Sequence, residues 1–170
     1  MGARRGMTIA RDAVGPGQES VWDYPRPAIA EPSSRHVRIE HRGQVIANSR
    51  SCVRTLETSH PPSWYVPQGD ILMSVLRRSR HGSFCEWKGQ AVYYDLTIDG
   101  DVIPNIAWSY PAPTPGFAIL RDHLAFYAGP LDGCFVDDER ALPQPGGFYG
   151  GWLNSDLAGP FKGVPGSRLW

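Results

Sequence analysis

An excess of charge of either sign is missing from this chain. Its 170 residues carry 17 Lys and Arg against 17 Asp and Glu, and no basic run is longer than the pairs Arg4-Arg5 and Arg77-Arg78. Nucleic-acid binding needs a basic face that neutralises phosphates, so neither nucleic acid nor a membrane surface is an expected partner. Cysteine is scarce as well. Cys52, Cys85 and Cys134 are odd in number and far apart, which argues against a disulfide framework and points to a reducing compartment, the cytoplasm. Long apolar runs are absent too: nothing approaches the roughly 20 residues of a membrane span, and the first residues hold Arg4 and Arg5 but no apolar stretch of signal-peptide length.

What is present is aromatic and heavily punctuated: 6 Trp, 7 Tyr and 6 Phe among 19 Gly and 16 Pro, a composition that favours short strands and turns over long helices. The length suits one domain with a real core. Residues 1–20, with the Gly15-Pro16-Gly17 turn and no periodic pattern, are expected to form a flexible tail, and 21–170 a single domain. Prolines should extend the segment Trp22 to Pro27. Val37 to Glu40 and Val45 to Ala47 form a hairpin across Arg42-Gly43-Gln44, Cys52 to Thr58 a further strand, and Trp64 to Val66 a short one closed by Pro67. Asp70 to Leu76 fits a short helix or a strand. Gln90 to Ile98 is the clearest strand, turning at Asp99-Gly100 into Val102-Ile103 and on to Ala107-Trp108. Phe117 to Leu120 suits a helical turn, Leu124 to Tyr127 a strand, and Cys134 to Val136 pairs with Arg140 to Leu142 across Asp137-Asp138.

The chemistry-bearing residues lie among stiff neighbours. In Glu57-Thr58-Ser59-His60-Pro61-Pro62 a carboxylate stands three residues from an imidazole at a strand end, a pairing suited to proton transfer with His60 as the transferring group and Glu57 as its partner; a His bonded to backbone and a Glu anchoring a loop explain the same residues. Lys88, between Trp87 and Gly89, suits anion binding, or a solvated ammonium with its stem on Trp87. Cys85 fits a nucleophile or a small buried hydrophobe. Tyr65, Trp87, Tyr94, Trp108 and Tyr110 are candidates, with Cys85, for a ligand cage, although alternation sends Tyr93 and Tyr94 to opposite faces of a sheet. Glycines in Gly146 to Gly151 lack the pattern of a phosphate loop and suit close packing of the chain against the core. The remaining histidines show no metal-ligand spacing.

Several of these segments are shared with a known family. Val21-Trp22-Asp23-Tyr24-Pro25-Arg26-Pro27, Leu56 to Pro62, Trp87-Lys88-Gly89, Trp108-Ser109-Tyr110-Pro111, Val136-Asp137, Pro143 to Trp152 and Gly159-Pro160-Phe161-Lys162-Gly163 resemble the bacterial DUF427 family. The resemblance implies a mainly β fold: a compact antiparallel sheet like the β-tent or Mss4-like fold over about residues 37–127, a C-terminal wrap over 128–170, and extended proline- and glycine-rich arms at both ends. Relatives of that fold hold zinc through paired Cys-x-x-Cys knuckles. This chain has none, so no metal and no cofactor is expected. A nucleotidyltransferase label attached to the family requires a Gly-Ser turn and two carboxylates two residues apart on a strand; Gly82-Ser83 precedes Asp95-Leu96-Thr97, with Thr97 in the second position.

Together these features lead us to expect a cytoplasmic β domain whose aromatic-lined pocket carries Glu57, His60 and Lys88 and takes a small polar or anionic molecule. It would act as an enzyme or, alternatively, as a non-catalytic metabolite-binding module; a homo-oligomer built through the aromatic wrap is a further expectation.

Overall fold

The computed structural model describes residues 8–170. Strand β1 (Glu19–Ser20) precedes a short 3₁₀ turn at Val21–Asp23, and then come β2 (Ile29–Ser33), β3 (Val37–His41), β4 (Gln44–Ser49), β5 (Cys52–Leu56) and β6 (Ser63–Pro67). Two more 3₁₀ turns, Gln68–Asp70 and Met73–Val75, lead into the long strands β7 (Leu76–Cys85), β8 (Gly89–Ile98) and β9 (Asp101–Ser109). After a 3₁₀ segment at Pro115–Leu120 follow β10 (His123–Phe126), β11 (Gly133–Val136), β12 (Glu139–Arg140), β13 (Leu142–Pro143), β14 (Trp152–Leu153) and β15 (Leu157–Ala158). The fold is mainly β, as expected.

Seven strands form one antiparallel sheet in the order β2-β5-β6-β10-β9-β8-β7, and four form a second in the order β12-β11-β3-β4. Alternation assigns the side chains. On β6, Trp64 and Val66 join Ile39 and Ile46 of the smaller sheet, with Leu96, Leu124 and Phe126, in the principal core, whereas Tyr65 belongs to a second cluster with Val53, Ala91, Trp108, Tyr110, Phe117 and Leu120. The larger sheet therefore has one face covered by the smaller sheet and one face carrying aromatics.

Turn chemistry explains the hairpins. Asp99 and Gly100 both adopt positive φ (51° and 78°) between β8 and β9, and Arg42 and Gly43 do the same (48° and 74°) between β3 and β4, the geometry that matches strand twist in two-residue turns.

The Asp70–Leu76 stretch is neither the helix nor the strand considered. Its two 3₁₀ turns lie along the smaller sheet, where Leu72 N–H donates to Ile46 O (2.8 Å) and Asp70 accepts from the Ser49 hydroxyl. Strands β2 and β7, at the two edges of the larger sheet, have no apolar alternation to announce them: every residue of β7 between Leu76 and Cys85 is exposed or half-buried. Residues 1–7 of the expected tail lie outside the described residues. The remainder of that segment is tied down by Asp12 N–H donating to Gly159 O (2.9 Å) and by parallel pairing of β1 with β15. No described helix is long and apolar enough to cross a membrane.

Candidate functional site

The turn that follows β5 is clamped by both ends of the chain. From the N-terminal side, Tyr24 O accepts from the Thr58 hydroxyl, Pro25 O from Thr58 N–H (3.1 Å) and Val21 O from Ser59 N–H (3.0 Å). From the C-terminal side, Lys162 N–H donates to Ser59 O (2.9 Å), and Trp152 N–H donates to Pro62 O (2.9 Å). Ser59, with φ of 74°, is fully buried within this clamp. The consequence is that Glu57 and His60 are fixed by the fold: His60 Nε2 stands 3.2 Å from Glu57 Oε2.

Gln144 completes the arrangement and fixes the proton positions. Its Oε1 accepts from Gly151 N–H (3.1 Å), so its amide nitrogen is the end that meets Lys162 O (2.9 Å) and His60 Nδ1 (3.0 Å). Nδ1 must then be the acceptor, and the ring proton lies on Nε2, the nitrogen that faces Glu57. Both imidazole nitrogens are thus occupied, and it is the carboxylate of Glu57 that retains a free oxygen. The edge of the His60 ring meets Tyr149 at 4.7 Å between centroids. Burial by itself raises the Glu57 pKa, but the interaction with His60, together with the charges of Lys88 and Arg26, outweighs it and holds the carboxyl below its ordinary range. Arg26 Nη2 lies 3.8 Å from Glu57 Oε2.

Glu57, His60 and Lys88 line one cleft of about 810 Å³ on the aromatic face of the larger sheet, together with Tyr65, Cys85, Trp108 and Tyr110. Lys88 is brought there by the β7–β8 turn, which the proline loop steadies: Thr114 N–H donates to Lys88 O (3.0 Å), the Thr114 hydroxyl donates to Trp87 O (2.5 Å), and the Lys88 ammonium lies 5.7 Å from the Phe117 ring centre. Trp108 Nε1–H donates to the Tyr65 hydroxyl (3.1 Å). Burial pushes the Tyr65 and Tyr110 phenols above their ordinary range, which keeps both neutral. Cys85, at the end of β7, is half-buried at the cleft, whereas Cys52 and Cys134 are core residues whose thiols burial pushes up to about 11 and about 12.

Two expected lining residues are elsewhere. Tyr94 packs against the core between the sheets, and its neighbour Tyr93, on the opposite face, lines the cleft instead. Trp87 packs beside the aromatic cluster and is not part of the cleft wall. Sequence reasoning also missed Gln144, Tyr149 and Lys162. A usable signal existed for Lys162: with Lys88 it makes up the full set of lysines in the chain, and both line this cleft. Gln144 is hidden because its role depends on a contact with His60, 84 positions away.

The residues considered for nucleotidyl transfer have structural roles. Gly82-Ser83 is strand rather than turn, pairing with Val92 and Ala91. Asp95 lies where the β8–β9 register shifts, and its Oδ1 accepts from Asn105 N–H (2.8 Å).

Two antiparallel sheets around a shared core, with a charged and aromatic cleft on the outer face of the larger one, define a mainly β domain. A family model described as a domain of unknown function (DUF427) matches residues 29–137, and the chain belongs to that family. The matched span runs from the start of β2 to just past β11, so it covers Glu57, His60 and Lys88 but not Gln144, Tyr149 or Lys162. No curated protein matches the chain.

Proposed function

We propose that the cleft binds a small polar or anionic molecule, with Lys88 pairing with the anion and Glu57 serving as the acid–base group that faces it. The observation that carries this reading is the Gln144–His60–Glu57 relay, which holds an ionised carboxylate at the wall of a cleft that also holds both lysines. In this reading His60, with both nitrogens engaged, positions Glu57 rather than transferring the proton itself. An anion that settles on Lys88 neutralises one of the charges that hold the Glu57 carboxyl down, so the carboxylate becomes more basic when the ligand is in place. Neutral phenols at Tyr65 and Tyr110 are hydrogen-bond donors for the ligand's oxygens.

A non-catalytic binding module is the second reading, and one observation favours it: a carboxylate held below its ordinary range is a weak base in the empty cleft. Native mass spectrometry of the purified chain, with any co-purifying small molecule identified, tests both. Retention should fall in Lys88→Ala. Should Lys88→Ala and His60→Ala both fold and retain the same molecules as the wild type, the cleft assignment fails. With a ligand identified, Glu57→Gln that binds it normally but no longer converts it supports the enzyme; an unchanged ligand in wild type and variant alike supports the module.

A further inference from the structure

Beyond the Gly147–Gly151 segment lies a second pocket of about 520 Å³. Six residues, Asn105, Tyr127, Gln144, Gly147, Tyr149 and Gly150, line both this pocket and the cleft, so the two are adjacent and share a wall. The division of chemistry between them is sharp. Every lining residue with a polar side chain in the second pocket is one of the shared six, and the walls beyond them are Pro104, Ile106, Ala128, Pro130 and Pro143 with glycines. A ligand that reaches past Gln144 and Tyr149 leaves the charged cleft and meets mainly apolar side chains.

The glycines let the segment between the two pockets pack closely. A Cβ at Gly150 would run into the Trp108 indole, and one at Gly151 would come within 2.5 Å of Pro61 O and 2.6 Å of Gln144 Oε1. The segment therefore lies as close to the cleft floor as backbone allows, and the Tyr127 ring, 4.7 Å from Trp108 between centroids, forms part of both walls.

From this the geometry points to an opening between the two pockets and to a two-part ligand that spans it: a small acid whose carboxylate or phosphate head pairs with Lys88, and whose apolar tail occupies the second pocket. This rests on the reading of the cleft as an anion site and adds the substrate class, an amphiphilic anion. The other contents of the cleft agree with it. Lys88 is the cleft ammonium open to the ligand's head, since the Lys162 ammonium donates to Trp170 O (3.0 Å), and a proline-walled pocket offers a tail few hydrogen-bond partners.

Straight-chain carboxylates from butanoate to octanoate, titrated into the full chain and followed by ¹H–¹⁵N NMR below their micellar range, test the proposal. Burying one methylene tightens binding by about fourfold, so Kd should fall by that factor per added carbon until the pocket is filled and then level off, with one site per chain. Gly129 supplies the control. A Cβ there meets only Pro143, at 3.8 Å, and its φ is not in the left-handed region, so Gly129→Leu fills the pocket without forcing the backbone. That variant should bind butanoate as the wild type does and lose the gain with length; if it does not fold, Gly129→Ala should lose part of the gain. A Kd independent of chain length, or a length gain that persists in folded Gly129→Leu, overturns the tail pocket while leaving the anion site intact. Length dependence that survives in Lys88→Ala with unchanged Kd values keeps the pocket and removes the anion site. Failure of every acid, and of inorganic phosphate, to bind removes both.

Discussion

Two opposing influences meet at Glu57. Desolvation favours the neutral acid, and the interaction with His60 and the charges of Lys88 and Arg26 favour the carboxylate, which prevails. A carboxyl whose folded pKa lies below its unfolded value of about 4.3 adds stability that is fully present above that value and is lost as pH falls through the folded one. The stability difference between wild type and Glu57→Gln should therefore be largest near neutrality, about 1.5–3 kcal/mol for a hydrogen bond to a charged group, and should close as pH drops below about 4. Urea unfolding at a series of pH values measures it; a difference that stays constant with pH would show that the charge of Glu57 is not what the fold uses. Gly151→Ala is expected to cost about 1–3 kcal/mol, the range for overpacking a closed site, because its Cβ would meet Pro61 O and Gln144 Oε1; thermal unfolding monitored by circular dichroism checks this. At this scale the sequence named Glu57, His60 and Lys88 from residue type and stiff neighbours. It did not show that Gln144 occupies Nδ1 of His60, since no local pattern records which distant amide meets a ring nitrogen.

Among the elements, the two-residue strand β14 has an influence beyond its length. Trp152 is fully buried in the principal core, and its Nε1–H donates to Phe126 O (2.9 Å). Replacing it with Ala should cost about 3–5 kcal/mol, the range for a large aromatic removed from a core, and the loss should appear as a lowered urea midpoint with little change in slope. The strands β3, β4, β5, β6, β8 and β10 were legible because each alternates or is bounded by turn residues. Strand β7 was not: with Arg77, Arg78 and Arg80 on an exposed edge it has no buried face to impose a period, and charge along an edge strand is itself a common guard against edge-to-edge pairing. The Asp70–Leu76 segment misled for the opposite reason. Its apolar residues match a helical face, yet Ile71 bridges to Ala47 and Leu72 bonds to Ile46, so pairing with the smaller sheet overrides local periodicity.

The molecule as a whole depends on its ends. The third cluster joins Val21 and Tyr24 to Leu56 and Leu157, with Trp22 and Phe161 packed against it, and Trp22 Nε1–H donates to Pro160 O (2.9 Å). A chain ended after Asp137 keeps the span matched by the family model but loses Trp152 from the core and Gln144 from His60. Such a chain should unfold without a cooperative transition in scanning calorimetry; a sharp transition like that of the full chain would show that residues 29–137 fold without the C-terminal segment. The amino-acid sequence alone determined the β character, the main hairpins, the family and the residues able to do chemistry, because periodicity, turn residues and side-chain type are local properties. Tertiary structure decided which of Tyr93 and Tyr94 faces the cleft, the tautomer of His60, the meeting of both lysines in one cleft and the pocket beyond Tyr149. Each of these depends on strand register and on contacts between residues remote in the chain, and the free energy that selects them comes from packing across sheets rather than from any one segment.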